Sequence, residues 1–261
     1  MPSKCVCVCC VLCVCSRHHA LLVQVLEVAS SDVDDESGAS IWDSALCLGE
    51  ILVKQQISLG PRVLELGSGT GYVGLIAAAL GHRTTLTDRA MLLPQLQANI
   101  RANGLEDVAD AVELEWGSVR PDLDVDTVIM SDCVYLPHCF RPLVQTLDSL
   151  APSSIIWANE MRGVEEEFRK LMADTGWTFE AVPLPSENDF ACEDICVQWI
   201  RHAKEKINGR VQSGLCNPVL HRAALALAWH QSLICAGFRR EYKLYSERHS
   251  VNLYLGTWGI I

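Results

Sequence analysis

Between positions 63 and 71 the chain reads Val-Leu-Glu-Leu-Gly-Ser-Gly-Thr-Gly, an apolar run followed at once by three alternating glycines. Such a turn, joining a strand to a helix, lets the backbone approach a ligand more closely than residues with a Cβ allow. Gly69, Gly71 and Gly74 also satisfy the G-x-G-x-x-G spacing of nicotinamide-binding folds, a weak match when it stands alone. Two carboxylates narrow the choice. Glu65 lies two residues before Gly67, where its charge would repel a pyrophosphate but suits a ligand with a sulfonium and an ammonium. S-adenosylmethionine (SAM) carries both. Asp88, 21 residues after Gly67, is placed to accept both hydroxyls of an adenosine ribose through charge-assisted bonds. Nicotinamide enzymes use that position too, so Asp88 supports an adenosine ligand without choosing between them. The residues favour SAM, with Glu65, Gly67, Ser68, Gly69 and Asp88 as its contacts. A nicotinamide dinucleotide stays open, as does a glycine turn that binds nothing.

These residues need strands that end together at one edge of a sheet. Ile41, Ala45, Leu48 and Leu52 recur at helical spacing, which predicts a helix over 41–56 that Leu59-Gly60-Pro61 breaks. From there strand-like and helix-like segments alternate. Strands are expected at 62–66, 84–87, 112–116, 126–131, 154–158, 178–182 and 195–200. Helices are expected at 72–80, 92–103, 138–150 and 164–175. Repeated strand–helix units build a parallel sheet with helices on both faces. The last two strands have no helix between them, so they can close the sheet as an antiparallel hairpin. The expected fold is thus α/β and doubly wound, with a mostly parallel seven-stranded sheet ending in a C-terminal antiparallel hairpin. Residues 21–28 can add an edge strand, Val219–Ile234 one more helix, and the tail from Tyr242 has strand-like alternation.

Composition bounds the rest. A chain of 261 residues, 49% hydrophobic and 20% charged, suits one substantial globular domain. The net charge of −11 repels phosphate backbones, and no basic patch offsets it, so no nucleic-acid partner is expected. Thirteen cysteines do not form a disulfide framework: six crowd into Cys5–Cys15, and the others stand at spacings that make no zinc site. No metal is expected, and the compartment is read as reducing: cytoplasm, with the nucleus as a further location. Lys4 followed by eleven apolar residues outlines a signal peptide, yet no small-residue cleavage pattern follows, and eleven residues cannot span a bilayer. The reading is a low-complexity segment at 1–20 without a role in the fold, a domain at 21–203, and an extension at 204–261 of unassigned purpose. A signal peptide or a metal-binding cluster remains the alternative for the N-terminus. No membrane partner and a monomer are expected.

Three further motifs carry a resemblance. Ile41-Trp42-Asp43-Ser44-Ala45 with Leu48-Gly49 precedes the first core strand, Leu114-Glu115-Trp116-Gly117 closes the third, and Met130-Ser131-Asp132-Cys133-Val134-Tyr135 closes the fourth. With the glycine loop they resemble methyltransferase family 16, the seven-strand protein lysine methyltransferases, over about residues 38–202. The likeness is greatest to the branch that methylates the valosin-containing p97 ATPase. The stretch Glu187–Phe190 through Ile195 is similar to that branch's acidic loop. The family's E-x-R element survives as Glu160-Met161-Arg162, but Asn159 stands where relatives have an aromatic. The resemblance implies a class I, Rossmann-like fold with SAM as cofactor. It implies that Trp42 contacts SAM, that Trp116 packs on the adenine, where stacking adds about a kcal/mol beyond burial, and that Ser131 touches the cofactor. It also implies a D-x-x-Y signature at Asp132 and Tyr135. A p97-type ATPase or another chaperone becomes the expected protein partner.

Charge then sets the mechanism. A neutral amine must attack the methyl carried by sulfur, yet a lysine of pKa near 10.4 is neutral at pH 7 in only about one molecule in 2,500, a deficit of roughly 4.6 kcal/mol. A dry channel beside a like charge depresses that pKa, and alignment supplies much of the remainder. Asp132 is expected to recruit and orient the ammonium, Tyr135 to line the channel, and Glu160 to assist. A loop carboxylate and a half-buried helix tryptophan are the plain alternatives for Asp132 and Trp42. Methylation of a small molecule or another side chain, and SAM binding without catalysis, remain alternatives to lysine transfer.

Overall fold

The computed structural model describes residues 8–15, 20–27, 38, 40–54, 56–184, 193–203, 244–245 and 250–251. The helix expected at Val219–Ile234 and the acidic stretch Glu187–Phe190 lie outside the described residues. Two hairpin strands come first, β1 (Val8–Cys15) and β2 (Ala20–Glu27), and helix α1 (Asp43–Val53) follows. The core then alternates: β3 (Arg62–Leu66), α2 (Tyr72–Ala79), β4 (Arg83–Asp88), α3 (Leu93–Ala102), β5 (Ala109–Glu113), β6 (Thr127–Ser131), α4 (Phe140–Leu150), β7 (Ser154–Glu160), α5 (Glu165–Asp174), β8 (Trp177–Ala181) and β9 (Ile195–His202). Two short strands, β10 (Leu244–Tyr245) and β11 (Ser250–Val251), pair antiparallel where tail alternation predicts strands.

The seven core strands lie in the order β5-β4-β3-β6-β7-β9-β8. Pairing is parallel from β5 through β7 and antiparallel at β7–β9 and β9–β8, so β9 alone runs against the rest of this sheet. This is the doubly wound sheet with a terminal hairpin that the alternation predicts. Strand order reverses between β3 and β6, and such a switch point opens a crevice at the carboxyl ends of the strands.

Side-chain alternation sorts each strand between two cores. Val63, Ile129, Ile156 and Ala158 join α1, α2 and α3 on one face. Leu64, Val128, Met130, Ile155 and Trp157 join α4 and α5 on the other. The second core is aromatic: Phe168 lies 5.4 Å from Trp157 and 5.9 Å from Phe140 between ring centroids.

Two expectations need correction. The cysteine-rich run is expected to have no role in the fold, but Val8–Cys15 pairs residue for residue with Ala20–Glu27. The strand reads Val-Cys-Cys-Val-Leu-Cys-Val-Cys, a short run of small and β-branched apolar residues, and such a composition suits a pleated ribbon. The hairpin thereby crosses the boundary placed at residue 21. β2 is not an edge of the main sheet: Val23 and Val25 are buried in the first core, and the Asn103 side chain pairs with both backbone groups of Gln24 at 2.8 and 2.7 Å. The second correction is the third core strand, expected at 112–116 and found at 109–113. β4 is its strand partner and ends at Asp88, where the Leu114 N–H makes the last bond to the Asp88 carbonyl. Residues 115–117 then turn, with Gly117 at φ +94°.

Candidate active site

A cavity of about 540 Å³ opens at the switch point, beyond the carboxyl ends of β3, β4 and β6. Trp42, Glu65, Gly67, Ser68, Gly69, Asp88, Trp116, Ser131, Asp132 and Tyr135 all line it. Residues up to 93 positions apart are thus brought to one place by the reversal of strand order.

The glycine turn forms one wall. Gly67, Gly69 and Gly71 have φ of +61°, +53° and +82°, the left-handed region that only glycine enters without strain. A Cβ on Gly67 would come within 3.1 Å of both Cys133 Sγ and the Trp116 ring, so the turn presses against the opposite wall. The Gly69 N–H donates to Asp88 at 2.8 Å, and the Ser68 N–H to the Thr87 carbonyl at 3.0 Å. Ser68 lines the cavity, but its hydroxyl works inside the wall, donating to the Glu65 carbonyl and accepting from the Thr87 N–H. Asn99 reaches from α3 to hold the Thr70 carbonyl at 2.8 Å.

Glu65 is fully buried, on the face of β3 that packs under α2. Its carboxylate accepts from the Gly74 N–H at 3.1 Å in the first turn of that helix. Burial pushes its carboxyl up to about 8, against the Gly74 N–H bond that favours the charged form. At neutral pH it is mostly protonated, and a cation brought beside it would draw the proton off. Asp88 is half-buried at the end of β4, with one oxygen on Gly69 and the other on the Arg89 N–H at 2.8 Å. Trp116 stands in the turn after β5, and Trp42, 44% exposed, precedes α1 at the mouth.

The opposite wall comes from the ends of β6 and β7. Asp132 takes φ +56°, a conformation rare outside glycine but one that Asp tolerates, and its side chain is 5% exposed. Contrary to a carboxylate open to an incoming ammonium, Asp132 is already paired. Arg162 grips it with both terminal nitrogens, at 2.6 and 3.1 Å, and the Glu160 N–H adds a bond at 3.3 Å. Tyr135 is half-buried on the cavity wall. Glu160 stands outside that wall, half-exposed, with its carboxylate 2.8 Å from Arg162. It meets Arg162 rather than lining the cavity, because the last residue of β7 is exposed while the five before it are buried.

Among the residues that sequence reasoning does not assign to the site, three stand out by their bonds or burial. Arg162 figures there only as part of a pattern. Cys133 is buried on the cavity wall with its Sγ 3.1 Å from the Leu66 carbonyl, and burial first, then the Asp88, Asp132 and Glu65 charges, raises its thiol well above the ordinary range. Asn159 is fully buried and clamps the backbone of Val134, accepting its N–H and donating to its carbonyl, both at 3.1 Å. An amide where an aromatic is expected is the one signal that could point to it.

The chain is similar to known proteins in sequence and in fold. The family model described as lysine methyltransferase matches residues 23–174, more than half of the chain. Protein N-lysine methyltransferase METTL21A of Mus musculus is 34% identical over 161 residues, which cover 58% of this chain and 73% of that protein. The METTL21A of Danio rerio is 38% identical over 125 residues, 45% of this chain and 57% of that protein. EEF1A lysine methyltransferase 3 of Mus musculus is 39% identical over 144 residues, 51% and 62% of the two chains. The chain therefore spans between about half and three quarters of these relatives. Among solved structures, the glycopeptide N-methyltransferase MtfA complexed with SAM superposes with a TM-score of 0.51 at 12% identity, over 60% of this chain and 94% of that one. That likeness speaks for the fold, the class I methyltransferase architecture. With the family model matched over more than half of its length, this chain belongs to the lysine methyltransferase family.

Proposed function

We propose that the chain transfers a methyl group from SAM to the side-chain amine of a protein lysine. The observation that carries this reading is the cavity itself. One wall is a glycine turn with a buried carboxyl and a second carboxylate, Asp88, at the end of the next strand, and the other is Ser131, Asp132 and Tyr135. The residues present fit the cofactor: Glu65 beneath the turn suits a cation, Asp88 suits two hydroxyls, and the Trp116 ring suits a flat heterocycle. SAM, when bound, supplies an electrophilic methyl on a positively charged sulfur. The chain's own task is to position and to exclude water. Tyr135 and Asp132 orient an amine entering past Trp42, and holding that nitrogen in line with the methyl replaces a costly bimolecular search. A net charge of −11 draws basic protein segments toward the molecule.

The acceptor is a protein of the cytoplasm or nucleus in this reading. A p97-type ATPase is one candidate, from the sequence resemblance. EEF1A is another, from the name of a 39%-identical relative. Incubating the purified chain with tritiated SAM, each candidate and whole-cell lysate tests it. Label on a protein band, released as methyl-lysine after hydrolysis, is the expected result. Label confined to small molecules, or SAM binding without transfer, would overturn it. Asp132→Ala should abolish transfer and leave SAM affinity within about threefold.

A further inference from the structure

The wall opposite the glycine turn holds more charge than orienting an amine requires, and the excess is arranged around one guanidinium. Arg162 lines the cavity beside Asp132 and Tyr135, 30% exposed. Three carboxylates face it. Asp132 at the end of β6 takes both terminal nitrogens, Glu160 at the end of β7 takes one at 2.8 Å, and Glu165 at the start of α5 accepts the backbone N–H groups of Arg162 and Gly163 at 2.6 and 2.8 Å. The Glu160 carbonyl accepts a further bond at 3.0 Å. The fork is therefore held in place from β6 and β7, and its loop from α5.

This arrangement answers a contradiction in the chemistry. A buried carboxylate facing the acceptor would attract a lysine but hold it as an ammonium, which has no lone pair to give. Resting on the methyl-transfer reading above, we propose that Arg162 keeps the acceptor amine neutral by cancelling the charge of the Asp132 carboxylate, the one that faces the cavity. Arginine suits the task because it stays protonated at any working pH and binds a carboxylate through two parallel bonds. With Arg162 in place, the Asp132 carboxylate still has lone pairs to orient an N–H, yet the ion pair as a whole presents no net charge. The lysine's proton leaves to solvent water. The freed lone pair then bonds to the methyl carbon, and the carbon–sulfur bonding pair stays on sulfur, which becomes a neutral thioether. Arg162 is thus a positioning residue for charge and forms no bond in the reaction.

Initial rates at saturating SAM, measured from pH 6 to 10 on the acceptor that takes label in the assay above, test this. The rising limb of the profile reports deprotonation of the acceptor amine. Arg162→Gln should move that limb to higher pH by about one unit, a rate deficit of about tenfold at pH 7 that closes by pH 10. Arg162→Lys should lose rate at every pH, because the fork is gone, while keeping the limb at its wild-type position. Glu160→Gln, at an exposed site where folding is safe, should move the limb the other way by less than half a unit. Limbs that coincide in all four proteins, or an Arg162→Gln limb at lower pH, would overturn the role of Arg162 and leave methyl transfer standing. A wild-type chain that methylates no lysine would overturn both.

Discussion

The two walls of the cavity are built by different means. The glycine-turn wall, from β3 and β4, takes its shape mainly from the backbone: left-handed glycines at 67, 69 and 71, and N–H groups of Ser68 and Gly69 that bond the neighbouring strand within three residues of its end. The opposite wall, from β6 and β7, takes its shape from side chains that cross between loops. Asn159 holds Val134 across 25 positions, and Arg162 holds Asp132 across 30. A backbone wall is common to many ligands of one shape. A side-chain wall can be rewritten residue by residue, and that suits the half of the site that must recognise an acceptor.

If the contrast holds, breaking the Asn159 clamp should cost both stability and transfer. Asn159→Ala takes the amide away from the N–H and the carbonyl of Val134 in a buried loop, and each orphaned group costs about 1–3 kcal/mol. The variant should lose about 2–4 kcal/mol of stability by denaturant titration. Methyl transfer should fall at least about 100-fold, since displacing reacting groups by a small distance has that effect. SAM affinity by calorimetry should change less than about fivefold, because the clamp touches only one wall. Equal losses in both would refute the division.

The glycine-turn wall breaks differently. At Gly71, φ is +82° and a Cβ would meet Leu86 at 2.6 Å and Leu96 at 2.9 Å. Gly71→Ala should therefore carry both backbone strain and overpacking, about 2–3 kcal/mol together, and SAM affinity should fall with it. Gly81, at φ +97° just past α2, has open space for a Cβ, with nothing among the described residues within 4 Å of where it would stand. Gly81→Ala therefore isolates the strain alone, at about 1 kcal/mol. Thermal melts of the pair separate the two costs. Equal shifts would show that close packing under the turn contributes nothing.

The same contrast explains what can be read from the residues. The glycine turn announces itself because its strand, its turn and its helix are contiguous, and Asp88 follows at the spacing of one helix and one strand. The doubly wound sheet and its terminal hairpin are legible for a similar reason: short apolar strands separated by helices admit few topologies. Asp132 and Tyr135 stand out by likeness to a family, whereas their partners do not. Nothing local in Asn159 or Arg162 says that each reaches 25–30 positions back along the chain. The strand at 109–113 lies three residues before its expected place because its end is set by β4, its partner, and not by its own apolar pattern. In the Val–Cys ribbon a repetitive composition masks an ordinary apolar strand.

Glu65 gives a prediction that turns on sign. Its carboxyl sits at about 8 in the folded chain, above the ordinary carboxylate value of 4.5, so the folded state holds a proton that the unfolded state releases. The stability tied to that proton is fully present below about pH 4.5 and is lost as pH rises toward 8. Glu65→Gln should flatten the decline, seen as melting temperatures across that range. Binding a sulfonium cation works in the opposite direction, since it favours the ionised carboxylate. Between about pH 5.5 and 7, below the range where an α-amino group titrates, SAM affinity should rise by up to about tenfold per unit, with release of a proton visible in buffers of different ionisation enthalpy. In Glu65→Gln the affinity should be weaker and level with pH. A wild-type affinity independent of pH would place the cation elsewhere.

The smallest effect separates stacking from support. Trp116 lines the cavity, and its ring lies within reach of any side chain added at Gly67, so it touches both the ligand space and the turn. If it serves only as an adenine platform, Trp116→Ala should weaken SAM binding by about 5–10-fold, the equivalent of about one kcal/mol of stacking beyond burial, and Trp116→Phe should restore most of it. Both variants should keep kcat within about twofold at saturating SAM, because stacking that is equal in the ground and transition states changes affinity and not the chemical step. If the ring instead props the glycine turn against Cys133, phenylalanine is too short to recover the contact. Affinity and stability would then fall together in both variants. A calorimetric titration and one melt for each protein distinguish a platform from a prop, and so decide whether the backbone wall is self-sufficient or leans on a side chain after all.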